Sequence, residues 1–273
     1  MITPLLLPVT GPALVSAHRG GMCRGPENTM AAFERAVEDG AEMIELDVHP
    51  TRDGELVVIH DVTTTRTTGH RDRVHNLTAA QVMALDAAGS FTPDTPAEPV
   101  PTLRQVLRWA RDRTYLDVDV RNYPALDGYH MRATADRLVQ QVREADVADQ
   151  VVLQCLDHHL AWQIRQSNPS LRVGITQHGR PIDPVGLARA AGACLISTDA
   201  EFVTAEMVAE LHDAGVGVMA AVDMRLPGLP SDEVTVRETV ARLLAHRVDI
   251  LVTDHVPQTR AMISAALDGA WST

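Results

Sequence analysis

The stretch Met43-Ile44-Glu45-Leu46-Asp47-Val48-His49-Pro50-Thr51-Arg52-Asp53-Gly54-Glu55-Leu56-Val57-Val58-Ile59-His60 holds two β-rich runs, 43–48 and 56–60, only seven residues apart. A parallel neighbour needs a crossover of a dozen residues or more, so these two runs pair antiparallel. The Asp53-Gly54 pair predicts a two-residue type I′ turn. A hairpin closed there sets Asp47 opposite His60, with Glu45 two residues further along the same face. The first run therefore reads as a strand of a larger sheet that continues past the rim and folds back.

Similar runs recur on both sides of it, at 13–18, 115–120, 151–155, 171–176, 194–198, 216–222 and 250–254, which with 43–48 makes eight. Amphipathic helical patterns lie between them at 29–39, 103–113, 131–145, 158–166, 205–214, 234–247 and 258–267, several closed by a glycine. Repeated βα units give a parallel sheet, and eight of them in a chain of this length predict an α/β fold, a (β/α)8 TIM barrel. The alternation stops from Asp61 to Pro101, where Thr, Gly and the run Thr92-Pro93-Asp94-Thr95-Pro96-Ala97-Glu98-Pro99 replace it. So short a segment cannot bury a core of its own. The expectation is one distorted barrel domain over 1–273, with 61–101 as a small insertion at the C-terminal mouth.

The composition removes several alternatives. With 273 residues and 45% hydrophobic content the chain can bury a sizeable core, which excludes disorder. All 24 basic residues are Arg and none is Lys. Schiff-base chemistry and a P-loop phosphate lysine are therefore impossible. A net charge of −12 lacks the basic surface that nucleic-acid binding requires. Cys23, Cys155 and Cys194 form no C-x-x-C pair, so neither a disulfide framework nor a zinc ribbon is expected, and a reducing cytoplasmic location fits. The N-terminal Met1-Ile2-Thr3-Pro4-Leu5-Leu6-Leu7-Pro8 has no basic segment, and no apolar run elsewhere reaches the ~18 residues of a membrane span.

Reactive residues of such a barrel come from the C-terminal ends of its strands. There the sequence offers His18 and Arg19, then Glu45 and Asp47, then His60 on the hairpin, then Asp117 and Asp119. Each carboxylate pair has period two, so its members face the same way. Carboxylates gathered at one mouth repel unless a cation lies among them, and all-oxygen ligation selects a hard ion such as Mg2+ or Ca2+. Two histidines can then exchange protons near neutral pH, and Arg19 can clamp a phosphate. The combination suits hydrolysis of a small-molecule phosphodiester.

The motifs Ala17-His18-Arg19-Gly20, Pro26-Glu27-Asn28-Thr29, Ile44-Glu45-Leu46-Asp47-Val48, Thr51-Arg52-Asp53-Gly54, Val58-Ile59-His60-Asp61 and Arg66-Thr67-Thr68-Gly69 resemble the glycerophosphodiester phosphodiesterase family, within the PLC-like phosphodiesterase superfamily. The likeness continues through Leu77-Thr78, Leu85-Asp86 and Pro101-Thr102-Leu103 and returns at Val252-Thr253-Asp254-His255-Val256-Pro257. It implies a distorted TIM barrel that hydrolyses glycerophosphodiesters to sn-glycerol 3-phosphate and an alcohol with one divalent cation. It further implies His18 and His60 as the acid/base pair, Arg19 as a phosphate ligand, and Glu45 and Asp47 as metal ligands. Where the family has a Glu in an Ile-Glu-Ile-Lys-like strand, this chain reads Leu116-Asp117-Val118-Asp119-Val120-Arg121. Asp119 then takes the third ligand position, with Asp117 the alternative one layer deeper, and Arg121 takes the place of the Lys beside the phosphate. At the seventh barrel strand the family's Trp-Thr-Val-Asn is replaced by Ala220-Ala221-Val222-Asp223, which removes an aromatic wall from the glycerol side.

Two other readings accompany this one. A substrate hydroxyl attacking first would give a cyclic phosphate, the lyase outcome of the related spider-venom sphingomyelinases D. The departures at Asp119, Arg121 and Ala220 motivate the other, a catalytically silent barrel that binds a phosphorylated ligand. Among flanking residues, Asn28 is expected to cap the first helix, and Glu27 could reach the site from the rim. Gly20-Gly21 form a tight turn, and Cys23 is a bystander. His158, His159 and His178, without matching carboxylates, belong to the surface or the rim, and Asp254 is a structural hydrogen-bond acceptor.

Overall fold

Nine short, β-branched and aliphatic runs pair as strands in this computed structural model, which describes residues 2–92, 94–121, 128–223 and 233–268. They are β1 (Leu14–Ala17), β2 (Met43–Pro50), β3 (Leu56–Val58), β4 (Tyr115–Val120), β5 (Val151–Cys155), β6 (Arg172–Gln177), β7 (Leu195–Asp199), β8 (Gly217–Asp223) and β9 (Ile250–Thr253). Eight are parallel in the order β1-β9-β8-β7-β6-β5-β4-β2, and the β1–β2 pairing closes them into a barrel. β3 hangs antiparallel on β2. One longer helix follows each barrel strand: Met30–Glu38, Leu103–Ala110, Gly128–Ala145, His158–Ser167, Pro184–Ala191, Ala205–Asp213, Glu233–Ala245 and Val256–Leu267. Five of these start on a Thr or Asp whose side chain accepts a first-turn N–H: Thr29, Thr102, Asp157, Asp183 and Thr204. The (β/α)8 expectation is met.

The two faces of the strands divide the labour. Ile44, Leu46, Val48, Leu116, Val118 and Val120 point outward into the apolar layer beneath the helices. Met43, Glu45 and Asp47, with Tyr115, Asp117 and Asp119, alternate with them and point into the barrel. Register aligns the inward residues in rows, Glu45 beside Asp117 and Asp47 beside Asp119. At the opposite end the interior is closed by apolar side chains: Met43, Val152, Leu195, Met219 and Ile250 pack with Leu5 and Leu7 of the N-terminal segment.

The hairpin forms where expected but in a different register. Val48 pairs with Val58 and Pro50 with Leu56, and Ile59 N–H donates to the Asp47 carbonyl at 3.0 Å, so Ile59, not His60, lies opposite Asp47. The connection is not a type I′ turn either. Thr51 and Glu55 face each other across Arg52-Asp53-Gly54, with Gly54 at φ +76° and its N–H donating to the Thr51 carbonyl. This is a three-residue loop with a left-handed glycine. Side chains impose it: the Thr51 hydroxyl donates to Asp53 and accepts from Glu55 N–H, while Asp53 also accepts from Ala79 N–H. Beyond Ile59 the chain leaves the ladder, which lets His60 turn toward the mouth although its parity would place it elsewhere.

Between residues 61 and 101 three short helical turns, Thr65–Thr68, Val74–Asn76 and Ala79–Met83, lie over the hairpin. The second and third of these turns, with β3 and the segments flanking them, bury a separate small apolar cluster that includes Val57, Ile59, Val74, Leu77, Val82 and Val100.

Candidate functional site

His18 and Arg19 follow β1 in a tight turn with Arg19 at φ +50° and Gly20 at φ +87°. A Cβ on Gly20 would approach Ala32 and Phe33 to 2.9 Å, so glycine is required there by space as well as conformation. The turn aims the Arg19 N–H at Glu45 Oε2, 2.9 Å away. His18 Nδ1 lies 2.8 Å from Asp254 Oδ1, and His60 Nδ1 lies 2.7 Å from Asp61 Oδ1. A carboxylate can only accept, so each Nδ1 carries the proton and each Nε2 is left for other work. Asp254 thus has the acceptor role the sequence suggested, and its partner is His18.

Glu45, Asp47 and Asp119 each offer an oxygen, and these atoms all lie within 4.8 Å of one another. All three carboxylates are buried. Burial works against a charged Asp47, but Arg19, His60 and Arg121 outweigh it and hold its pKa below the ordinary value. Asn28 grips the same residue twice, donating from Nδ2 to Asp47 Oδ2 at 2.9 Å and accepting the Asp47 N–H. Arg121 donates to Asp119 Oδ2 at 2.7 Å. Burial raises the pKa of Glu45 strongly, reinforced by Asp47 and Asp117. Burial also raises Asp119, against the pull of Arg121. Asp117 lies one layer deeper, wholly buried, with both oxygens unpartnered; burial and the Asp119 charge push its pKa well up.

This donor set fits a hard divalent cation. Three buried carboxylates converge, Asp119 Oδ1 has no hydrogen-bond partner, and burial, with the neighbouring carboxylates added, disfavours the charged forms of Glu45 and Asp119 in a way that a cation would relieve. Arg19, expected at the phosphate, contacts Asp47 through Nε at 3.3 Å and Glu27 at 3.0 Å. Glu27 in turn takes Arg66 at 2.8 Å, and Arg66 reaches Asp61. The hydrogen bond from His60, then Arg66, holds the Asp61 carboxyl well below the carboxylate range.

Several of these roles differ from the sequence reading. Asn28 does not cap the first helix; Thr29 does, and Asn28 adopts φ +58° and turns to Asp47 instead. His178 does have a carboxylate, since Asp199 lies 3.1 Å from its Nδ1 at the rim. His158 donates to the Thr176 carbonyl and His159 stacks on Trp162, both away from the acidic trio. Cys23 lies 2.9 Å from His255 Nε2. His49, not singled out in the sequence, is buried and donates from Nε2 to the His60 carbonyl; burial pushes its pKa down to about 4. A signal was available for Asp61 and Arg66, which stand in the quoted motifs, but not for His49.

The trio opens into a cavity of about 250 Å³ lined by His18, Arg19, His60 and Arg121 on one side. Gln154, Thr176, Ser197, Met219 and Ala221 line the other side, and no Phe, Tyr or Trp lines it among the described residues.

A family model described as the glycerophosphoryl diester phosphodiesterase family matches residues 18–258. A glycerophosphodiester phosphodiesterase of Caldanaerobacter subterraneus subsp. tengcongensis is 33% identical over 180 residues, which is 64% of this chain and 71% of that one. Seven further curated relatives are matched over 28–58% of their own length. Among solved structures, a glycerophosphodiester phosphodiesterase from Agrobacterium tumefaciens shares the fold with a TM-score of 0.75, 23% identity, and 91% and 99% of the two chains covered. An Oleispira antarctica phosphodiesterase in complex with the product sn-glycerol-3-phosphate does so with a TM-score of 0.80, 20% identity, and 93% and 97% covered.

Proposed function

Because the chain belongs to the glycerophosphoryl diester phosphodiesterase family, we propose that it hydrolyses a glycerophosphodiester to sn-glycerol 3-phosphate and an alcohol, with a divalent cation and two histidines. The observation that carries this reading is the convergence of Glu45, Asp47 and Asp119 between His18 and His60 at one mouth. The three carboxylates would hold Mg2+ or Ca2+, which supplies charge neutralisation at the phosphoryl oxygens.

The chain's own residues then do the rest. Asp254 and Asp61 fix the two imidazoles by their Nδ1 atoms, so each Nε2 can take or give a proton at the mouth. One histidine removes a proton from the attacking hydroxyl or water, and the other protonates the departing oxygen. Arg121 and Arg19, already among the carboxylates, present planar donors suited to a phosphate. Asn28 keeps Asp47 in a single orientation.

Hydrolysis of glycerophosphocholine and of bis(glycerol) phosphate, with Mg2+ or Ca2+ and with EDTA, tests the reading. Turnover lost in EDTA and restored by the cation is expected, with sn-glycerol 3-phosphate as product. Activity indifferent to EDTA overturns the cation, a cyclic phosphate seen by phosphorus NMR as the final product overturns hydrolysis, and no turnover of any diester leaves a binding barrel.

A further inference from the structure

The cavity has a second wall that the chemistry above does not use. Gln154 on β5 stands in the same row as Asp119, and Thr176 on β6 stands in the same row as Ser197 on β7. All three line the cavity. Gln154 is 5% exposed, and its Oε1 is buried with no hydrogen-bond partner; Thr176 Oγ1 is likewise buried and unpartnered. Gly174 pairs with Gln154 on the neighbouring strand, and a Cβ there would touch Gln154 Oε1 at 3.5 Å.

Buried oxygens in folded proteins are mostly paired, and those left over in the wall of a cavity are open to a donor from a bound molecule. Here no Arg lines this wall among the described residues, so it is unsuited to the phosphate. Asp199 at the rim is already engaged by His178. Quaternary ammonium groups are recognised on aromatic faces, and no aromatic ring lines the cavity among the described residues. What fits neutral amide and hydroxyl oxygens in two successive layers of the wall is a group rich in hydroxyls, each able to donate and accept.

We propose that Gln154, Thr176 and Ser197 form a polyol subsite for the leaving alcohol, so that the preferred diester carries a second glycerol or an inositol in place of choline. This rests on the hydrolase reading above. A site built to bond a hydroxyl discriminates against an analogue lacking it because its own polar groups are then left unpaired.

The test compares kcat/KM for bis(glycerol) phosphate, glycerophosphoinositol and glycerophosphocholine in the cation-loaded full chain and in Gln154→Leu and Thr176→Val. Wild type is expected to favour the polyol esters by about 10-fold or more, the equivalent of one or two well-placed hydrogen bonds. Each substitution is expected to lower the polyol values more than the choline value, so the ratio falls toward one. If Gln154→Leu fails to fold, Thr176→Val and Ser197→Ala carry the same measurement. No preference in wild type overturns the subsite. Equal losses on all substrates also overturn it, because the wall would then contact the glycerol they share. Failure of every diester to react would instead strike the hydrolase reading, and direct binding of bis(glycerol) phosphate, lost in Gln154→Leu, would still support the subsite.

Discussion

The half of the mouth built by β1, β2 and β4 and the half built by β5, β6 and β7 are made of different material. On the first, charge is tied to charge: Arg66 to Glu27, Glu27 to Arg19, Arg19 to Asp47, Arg121 to Asp119, and each histidine to an aspartate. On the second, the only charged pair among the described residues is His178 with Asp199 at the rim, and beneath it Gln154 Oε1 and Thr176 Oγ1 are buried with no hydrogen-bond partner. Charged groups that must be buried need neighbours to hold them, whereas neutral groups can wait for a ligand at smaller cost. Reactivity and selectivity are thus expected to separate by half, with changes on the first reducing kcat and changes on the second altering the ranking of substrates.

The largest effect should come from the first half. His18→Ala and His60→Ala are each expected to lower kcat by about 10²–10⁴-fold. A variant retaining full activity would break the division at its centre. The next effect concerns stability and pH. His49 is held neutral, with a folded pKa of about 4 against 6.5 when free. Its contribution is complete above pH 6.5 and is lost as pH falls through that value toward 4, about 3 kcal/mol in all. Urea unfolding at pH 7 and pH 4.5 should show this loss in wild type and a smaller one in His49→Gln, which keeps a donor for the His60 carbonyl.

Asn28→Ala sharpens the comparison at the cation. Support residues around metal ligands typically contribute about 10–100-fold in affinity, so the Mg2+ or Ca2+ needed for half-maximal activity should rise by that factor. If Asn28 served only as a helix cap, the variant would lose helix stability and its cation dependence would not move. The smallest effect lies in the hairpin, which only the charged half possesses. Gly54→Ala at φ +76° should cost about 1 kcal/mol, read from the denaturation midpoint, with kcat unaltered. An unchanged midpoint would mean that the left-handed glycine does not set the register.

What could be read from sequence follows the same boundary between periodic and aperiodic signals. The barrel was legible because inward and outward residues alternate on every strand and helices intervene at regular spacing. Glu45, Asp47, Asp117 and Asp119 were legible for the same reason, as acids at period two on strand ends, whereas the preference for Asp119 over Asp117 came from the family resemblance. The hairpin register was not, because Thr51 and Asp53 side chains choose the loop, and a one-residue difference has no signature in composition. Asn28 stood one position before the true cap, and Asn tolerates the left-handed conformation that frees it for Asp47. His18 and Asp254 are separated by 236 residues and meet only when β1 and β9 pair.

The floor formed by Leu5 and Leu7 against Met43, Val152, Leu195, Met219 and Ile250 has a kinetic meaning. A barrel sealed at one end is a blind well, and everything that enters must leave by the door it came through. A diester entering and the two products of its hydrolysis leaving would then share one passage, so clearance of that passage adds to bond cleavage in setting how fast successive turnovers can follow one another.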